Sequence, residues 1–310
     1  MNDSITFGGV QAGQQLRNLM DGGVVAAPGA FNGLCARAIA KAGFSACYVS
    51  GAATSVSAGV PDVGLLGLEH FCRVIREVAD SSGLPVLADA DTGFGEAEMV
   101  RRTVIEYARA GAAGLHIEDQ VFPKRCGHLD GKALVPIDHM CEKVQWAAKA
   151  RDDMSGGVRG EGGGFIVCAR TDARGVDGFD AAIERAQRYV AAGADMIFPE
   201  GLTSEAEFAA FADRLDARGR GGKGPYLLAN MTEFGKTPMI PLRRFGEMGY
   251  SIVIYPVSML RVAMGAVTRA LETLKNEGTV EPLLGQMQTR KELYELVGYT
   301  PGVAWEYPVR

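Results

Sequence analysis

Short, almost wholly apolar runs alternate with longer amphipathic segments along this chain, and eight such runs are legible, at 23–28, 46–51, 85–91, 114–119, 165–172, 195–200, 226–231 and 251–256. Four of them follow the same punctuation, in KAGFSACYVSG, RAGAAGLHIED, AAGADMIFPEG and EMGYSIVIYPV. The glycine in each (Gly43, Gly111, Gly193, Gly249) suits the left-handed cap that ends a helix before the chain turns into a strand. Strands that lose their polar alternation are buried on both faces. Eight helix-strand alternations of that kind predict a parallel (β/α)8 TIM barrel forming a single domain over 1–310. A doubly wound sheet is the alternative, but it commonly carries a G-x-G-x-x-G turn after its first strand, and none is present. Glycine-rich stretches at 155–164 and 217–224 follow helices and precede strands, which puts them on the face away from the strand ends. A helical segment of about 258–298 continues past the eighth run and is long enough to reach a neighbouring subunit.

The pattern gains chemistry where the runs stop. The run at 85–91 ends on Asp89 and Asp91, and the run at 114–119 ends on Glu118 and Asp119. Like charges crowded at neighbouring strand ends repel unless a cation holds them. An all-oxygen set suits a hard ion, so Asp89, Asp91 and Glu118 predict a Mg²⁺ site, with Mn²⁺ a substitute. The bland alternative has these acids capping helices or pairing with Arg101, Arg102 or Lys124. Zinc is disfavoured, since no second Cys or His stands at ligand spacing near Cys126 and His128. In PKRCGH, Lys124, Arg125 and His128 favour a thiolate at Cys126 and make it the candidate proton carrier, with Lys124 and His128 beside it as catalytic candidates. Cys35, Cys47, Cys72, Cys141 and Cys168 read as small buried hydrophobes. His116, inside LHIED, reads as a packed core residue, and His70 and His139 as helix surface.

Other run ends continue the theme. Arg170 follows FIVCA, Glu200 ends MIFPE, Asn230 and Thr232 lie in LLANMT, and Arg261 opens the segment after the eighth run. An arginine at the end of an apolar strand calls for an anion, either a substrate carboxylate in its planar fork or a salt bridge to Glu200 or Asp172. The Ser50-Gly51 step offers backbone N–H groups to an anion, and Tyr48 stands close by to give or take a proton.

Composition narrows the class without deciding it. A net charge of -5 and a hydrophobic fraction of 47% describe an ordinary globular enzyme and argue against nucleic acid as a partner. The first residues, MNDSITFGG, do not resemble a secretory or transit peptide, and no run reaches membrane-spanning length. Six cysteines without C-x-x-C spacing fit a reducing compartment. A cytoplasmic location is expected, or a mitochondrial matrix one had a leader been removed.

Taken together, ADADTGFG, GLHIEDQ, KRCGH, ARTDA, FPE, ANMTEFG and MQTRKELYE resemble the isocitrate lyase and phosphoenolpyruvate mutase superfamily, nearest its 2-methylisocitrate lyase branch. The cysteine in KRCGH belongs to the lyases of that superfamily and is missing from its phosphonate-forming members. The resemblance implies Mg-dependent retro-Claisen cleavage of a tricarboxylate, 2-methylisocitrate, to pyruvate and succinate. Isocitrate lyase or 2,3-dimethylmalate lyase activity is the alternative, and a non-catalytic metabolite-binding barrel a more distant one. By the same resemblance Ser50, Gly51 and Ala52 would hold the pyruvyl carboxylate. Arg170, Asn230, Thr232, His128 and the Gly127 backbone would stabilise the succinate carbanion that Cys126 protonates, with Glu200, Arg261 and Arg290 also at the substrate. Tyr48 or Glu118 would be the base. The resemblance further implies a homotetramer that exchanges its C-terminal helix.

Overall fold

The computed structural model describes residues 8–125, 131–155 and 164–305. Eight parallel strands occur where the apolar runs predict them: β1 (Val25–Pro28), β2 (Cys47–Val49), β3 (Val86–Asp89), β4 (Ala112–Glu118), β5 (Ile166–Thr171), β6 (Met196–Pro199), β7 (Tyr226–Asn230) and β8 (Ile252–Tyr255). β1 starts two residues late and β2 and β3 end two early, while β4 alone extends outside its run, starting two residues before it because Ala112 and Ala113 carry no β-type signal of their own. The sheet runs β1-β8-β7-β6-β5-β4-β3-β2. It closes into a barrel through one bridge, Gly29 to Tyr48, with the Ala30 amide donating to the Tyr48 carbonyl at 2.8 Å.

Helices wrap the strands: α1 (Gly8–Asp21), α2 (Gly33–Lys41), α3 (Gly51–Ser57), α4 (Leu68–Ser82), α5 (Ala97–Ala110), α6 (Ile137–Met154), α7 (Ala173–Val176), α8 (Phe179–Ala191), α9 (Glu205–Arg214), α10 (Leu242–Glu247), α11 (Ser258–Glu277) and α12 (Arg290–Leu296). Asn32 starts α2 by accepting from the Cys35 amide at 2.9 Å, and Ser50 starts α3 by accepting from the Ala53 amide at 3.3 Å. The four punctuating glycines take φ of 87°, 95°, 113° and 92°, the left-handed region expected of them. Among the described residues no helix is long and apolar enough to cross a membrane.

Two apolar layers result. The outer one packs strand faces against helices. The inner one fills the barrel with Val25, Ala27, Leu87, Ile166, Cys168, Met196, Phe198, Tyr226, Leu228, Ile252 and Ile254, and is plugged from below by Leu16 and Met20 of α1. The helix after β8 behaves differently. Of the 20 residues of α11 only Leu260 is buried, while Val262, Val267, Leu271 and Leu274 stay exposed on it.

Candidate active site

Side chains two apart on a strand point the same way, so the inward residue above each filled layer emerges at the carboxyl end of the barrel. Above Leu87 stands Asp89, above His116 stands Glu118, above Cys168 stands Arg170, above Phe198 stands Glu200, and above Leu228 stands Asn230. The next step beyond Tyr48 is Ser50. All but Glu118, which lies behind Arg170, ring one small cavity, whose lining carries four cationic side chains, Lys124, Arg125, Arg170 and Arg261, against the acids Asp62, Asp89 and Glu200. Tyr48, Ser50, Ala52 and Thr232 line it too.

Asp89 and Asp91 are both buried and their oxygens converge. A Cβ placed on Gly51 would lie 2.8 Å from Asp89 Oδ2 and 2.9 Å from Asp91 Oδ1, so the absence of a side chain at Gly51 keeps this spot open. Strand pleating does not bring them together. β3 ends at Asp89, and Asp91 takes a left-handed φ of 47° that re-aims its side chain. Asp89 accepts the Gly51 amide at 3.0 Å and the Asp91 amide at 3.0 Å. The Gly51 N–H is therefore already engaged, which leaves Ser50 and Ala52 as the cavity's contribution from that turn. Burial, and then the charge of Asp89, push Asp91 up to about 6. Burial acts on Asp89 as well, but His116, Lys124 and Arg170 outweigh it and hold that carboxyl below its ordinary range.

A lysine supplies part of the missing positive charge. Lys124 is buried, with its ammonium against Asp62 and 2.8 Å from Asp91 Oδ1. The second contact is an ion pair without hydrogen-bond alignment, and Asp91 Oδ1 has no hydrogen bond. Glu118 is drawn the other way, with Oε2 3.2 Å from Arg170 Nη1 and Oε1 without any donor. The expected three-acid metal set is thus not compact. Among the described residues no three His, Cys, Asp or Glu side chains come together closely enough to hold a metal ion, because Arg170 claims Glu118. Below the acids, the Tyr48 hydroxyl pairs with His116 Nε2 at 2.8 Å, and burial lowers His116 to about 4, so the imidazole is neutral. Burial, then Asp89, raise Tyr48 well above its ordinary value.

Arg170 is surrounded by acids. Its Nε and Nη2 grip Asp172 at 2.9 and 3.1 Å, Glu200 lies 3.8 Å from Nη2, and the ring of Phe198 lies beneath it at 5.2 Å. The edge that would receive a substrate carboxylate in two bonds is taken by Asp172, so salt bridge and cavity wall are combined in one residue. Asn230 donates to Glu200 at 3.1 Å and keeps its own carbonyl oxygen without a donor. Arg261 bonds the Glu233 carboxylate at 2.8 Å and reaches Thr232 Oγ1 at 3.5 Å. Arg290 does not join them: it opens α12 on the exposed surface, away from the cavity lining, because α12 packs beside α2 instead. Cys126, Gly127 and His128 lie outside the described residues. Of the five described cysteines, Cys47, Cys141 and Cys168 are buried as read while Cys35 and Cys72 are only partly so, and each thiol is raised chiefly by burial, Cys47 to about 12 and Cys72 to about 11. His70 and His139 sit on α4 and α6. Two participants escape sequence reading. Asp62 is a single acid in a Pro/Gly loop, and Asp172 is legible only as an alternative partner of Arg170.

A barrel that gathers buried acids and bases around a cavity at the carboxyl ends of its strands defines a (β/α)8 enzyme. The sequence profile of a family described as phosphoenolpyruvate phosphomutase matches residues 16–275. The chain belongs to the phosphoenolpyruvate mutase and isocitrate lyase superfamily. It is 50% identical over 273 residues to a Corynebacterium glutamicum protein named probable 2-methylisocitrate lyase 1, covering 88% of this chain and 84% of that one. It is 44% identical to the 2-methylisocitrate lyase of Bacillus subtilis, covering 88% and 84%. Among solved structures, oxaloacetate acetylhydrolase with 3,3-difluorooxalacetate superposes at a TM-score of 0.84 with 33% identity, covering 94% of each chain. A 2,3-dimethylmalate lyase superposes at 0.83 with 37% identity, covering 93% of this chain and 91% of the other.

Proposed function

We infer that the chain is a carbon-carbon lyase that cleaves 2-methylisocitrate to pyruvate and succinate. The observation that carries this is the cavity at the strand ends, where buried acids converge over Gly51 while arginines and a lysine stand opposite. Relatives named for this reaction, at 40–50% identity, favour it over the dimethylmalate and oxaloacetate reactions of the structural neighbours.

The acid side fits a hard divalent cation. Two carboxylate oxygens converge on one open point, a third acid has an oxygen without a donor, and the crowding raises Asp91. Mg²⁺ takes one or two carboxylates and keeps several waters, so Asp91 and Asp89 would hold it, with Glu118 acting through water. When bound it supplies a Lewis acid for the substrate's hydroxyl and carboxylate oxygens, and Mn²⁺ serves in its place. The chain's own groups do the rest. Ser50 and Ala52 face the carboxylate of the pyruvate half. Glu118 Oε1, which no donor occupies, takes the hydroxyl proton, whereas the Tyr48 hydroxyl is engaged by His116. The bond between the hydroxyl-bearing carbon and its neighbour then breaks, its electron pair passing to the succinate half as an aci-carboxylate faced by Arg170, Asn230 and Thr232. Cys126 returns a proton to that carbon, with Lys124, His128 and the Gly127 backbone beside it. Glu200 orients Asn230, and Arg261 stands at the cavity's edge.

Steady-state rates on 2-methylisocitrate, isocitrate and 2,3-dimethylmalate with Mg²⁺ test the reading. Preference for the first is expected, by no more than about 1–3 kcal/mol of pocket discrimination per methyl group. No turnover of any of them would sink it. The exposed apolar face of α11 further supports a homotetramer in which this helix is exchanged between subunits. Light scattering is expected to report four chains, and a monomer at micromolar concentration would refute that arrangement.

A further inference from the structure

We propose that Lys132 is a positioning residue for substrate anions: it neutralises Asp172, so that Arg170 keeps its charge directed at the cavity. The proposal rests on the carboxylate-cleaving reading above. Lys132 does not line the cavity. Its side chain is nonetheless only 6% exposed, and its ammonium lies 2.7 Å from Asp172 Oδ1. A lysine so buried is maintained against a large desolvation cost and calls for a reason.

Orientation is not that reason. Asp172 is held by its own amide, which donates to Asp119 Oδ1 at 2.9 Å, and it already grips Arg170 through two bonds. The difficulty at this place is charge. Arg170 faces Asp172, Glu118 at 3.2 Å and Glu200 at 3.8 Å, three acids around one guanidinium, with Lys124 also acting on Glu118. A guanidinium so outnumbered has its own charge offset locally, which weakens what it adds to Lys124, Arg125 and Arg261 in attracting a polycarboxylate. Lys132, outside the cavity lining, adds a second cation to Asp172, on the oxygen that Arg170 Nη2 also bonds. The Asp172 carboxyl is held at about 2, where burial alone would raise it, because Arg170 and Lys132 both act on it. With Lys132 in place, Asp172 anchors the guanidinium without cancelling it.

The test uses full-length enzyme loaded with Mg²⁺, with succinate binding read by calorimetry beside KM and kcat on 2-methylisocitrate. Lys132→Met is expected to weaken succinate binding and raise KM about tenfold, while kcat falls less than about threefold, since the charge acts on binding and not on the bond-breaking step. Lys132→Arg is expected to restore binding. The double variant Lys132→Met with Asp172→Asn removes the uncompensated carboxylate and is expected to recover succinate affinity to within about threefold, although kcat falls with the lost Arg170 anchor. Unchanged succinate affinity in folded Lys132→Met overturns the proposal. If that variant fails to fold, the double variant decides: near wild-type affinity supports the electrostatic role, and a tenfold loss overturns it. Wild-type enzyme that binds succinate without cleaving 2-methylisocitrate defeats the substrate reading instead, and the succinate comparison still decides for Lys132. Wild-type enzyme that does not bind succinate overturns both.

Discussion

Each end of the barrel holds a knot of arginine and aspartate, and the two knots differ in what they leave unmade. At the lower end Asp195 takes Arg17 at 3.0 Å, Arg151 at 2.6 Å and the Val167 amide at 2.9 Å. Arg17 spends its other donors on the carbonyls of Gly164 and Phe165, and Arg151 reaches the Gly193 carbonyl. At the upper end Glu118 Oε1 and Asn230 Oδ1 are buried without a hydrogen bond, and Asp91 Oδ1 meets only the Lys124 ammonium. Unmade bonds at buried acceptors cost stability, so a protein keeps them where something else will use them. A closed network staples the fold. An open one waits for a ligand.

Substitutions at the two ends should therefore separate activity from stability. The widest separation is expected at Asp91→Ala, with turnover falling about 10³-fold or more and divalent-metal binding lost, while relief of carboxylate crowding leaves the unfolding temperature unlowered. Rates with and without EDTA, titration with Mn²⁺ and a thermal melt measure all three. An undiminished rate, or a loss of stability in step with activity, would erase the contrast. Arg170→Lys comes next. A point charge cannot keep two bonds to Asp172 and also meet Glu118, so kcat/KM is expected to fall about 10- to 100-fold, and a wild-type value would make Arg170 purely structural. Asp195→Asn has the smallest expected effect on catalysis, with kcat/KM within about twofold of wild type. It is nonetheless expected to destabilise by roughly 2–4 kcal/mol, since it strips charge from between two partly buried arginines. Urea unfolding reads that loss, and a large drop in kcat/KM would show that the lower knot reaches the chemistry.

The same contrast explains what was legible beforehand. The strands were, because burial on both faces removes polar residues and leaves apolar runs whose ends are marked by charge. The ring of polar strand ends was legible for the same reason, since Asp89, Arg170, Glu200 and Asn230 each stand one inward step above an apolar residue and Glu118 stands above the buried His116. Three features were not. The φ of Asp91 depends on the turn beyond β3, which no strand pattern describes. Asp62 meets Lys124 across 62 residues of chain, and Lys132 meets Asp172 across 40, so neither pairing leaves a local trace. Arg290 carries a resemblance to a site residue, yet its own helix packs beside α2, away from the cavity.

The inward ladder of the strands has an evolutionary meaning as well. Most rungs below the mouth carry apolar side chains that hold the barrel, Tyr48 and His116 bringing polar groups among them, and the cavity is lined mainly by the topmost rung. Mutation at that last rung can be tried with little risk to the rungs beneath it, so the scaffold tolerates experiment where novelty arises. Structural neighbours named as an oxaloacetate acetylhydrolase, a 2,3-dimethylmalate lyase and a phosphonopyruvate hydrolase share this barrel at 30–37% identity. Divergence of reaction on a common frame is what such a division of labour along each strand permits.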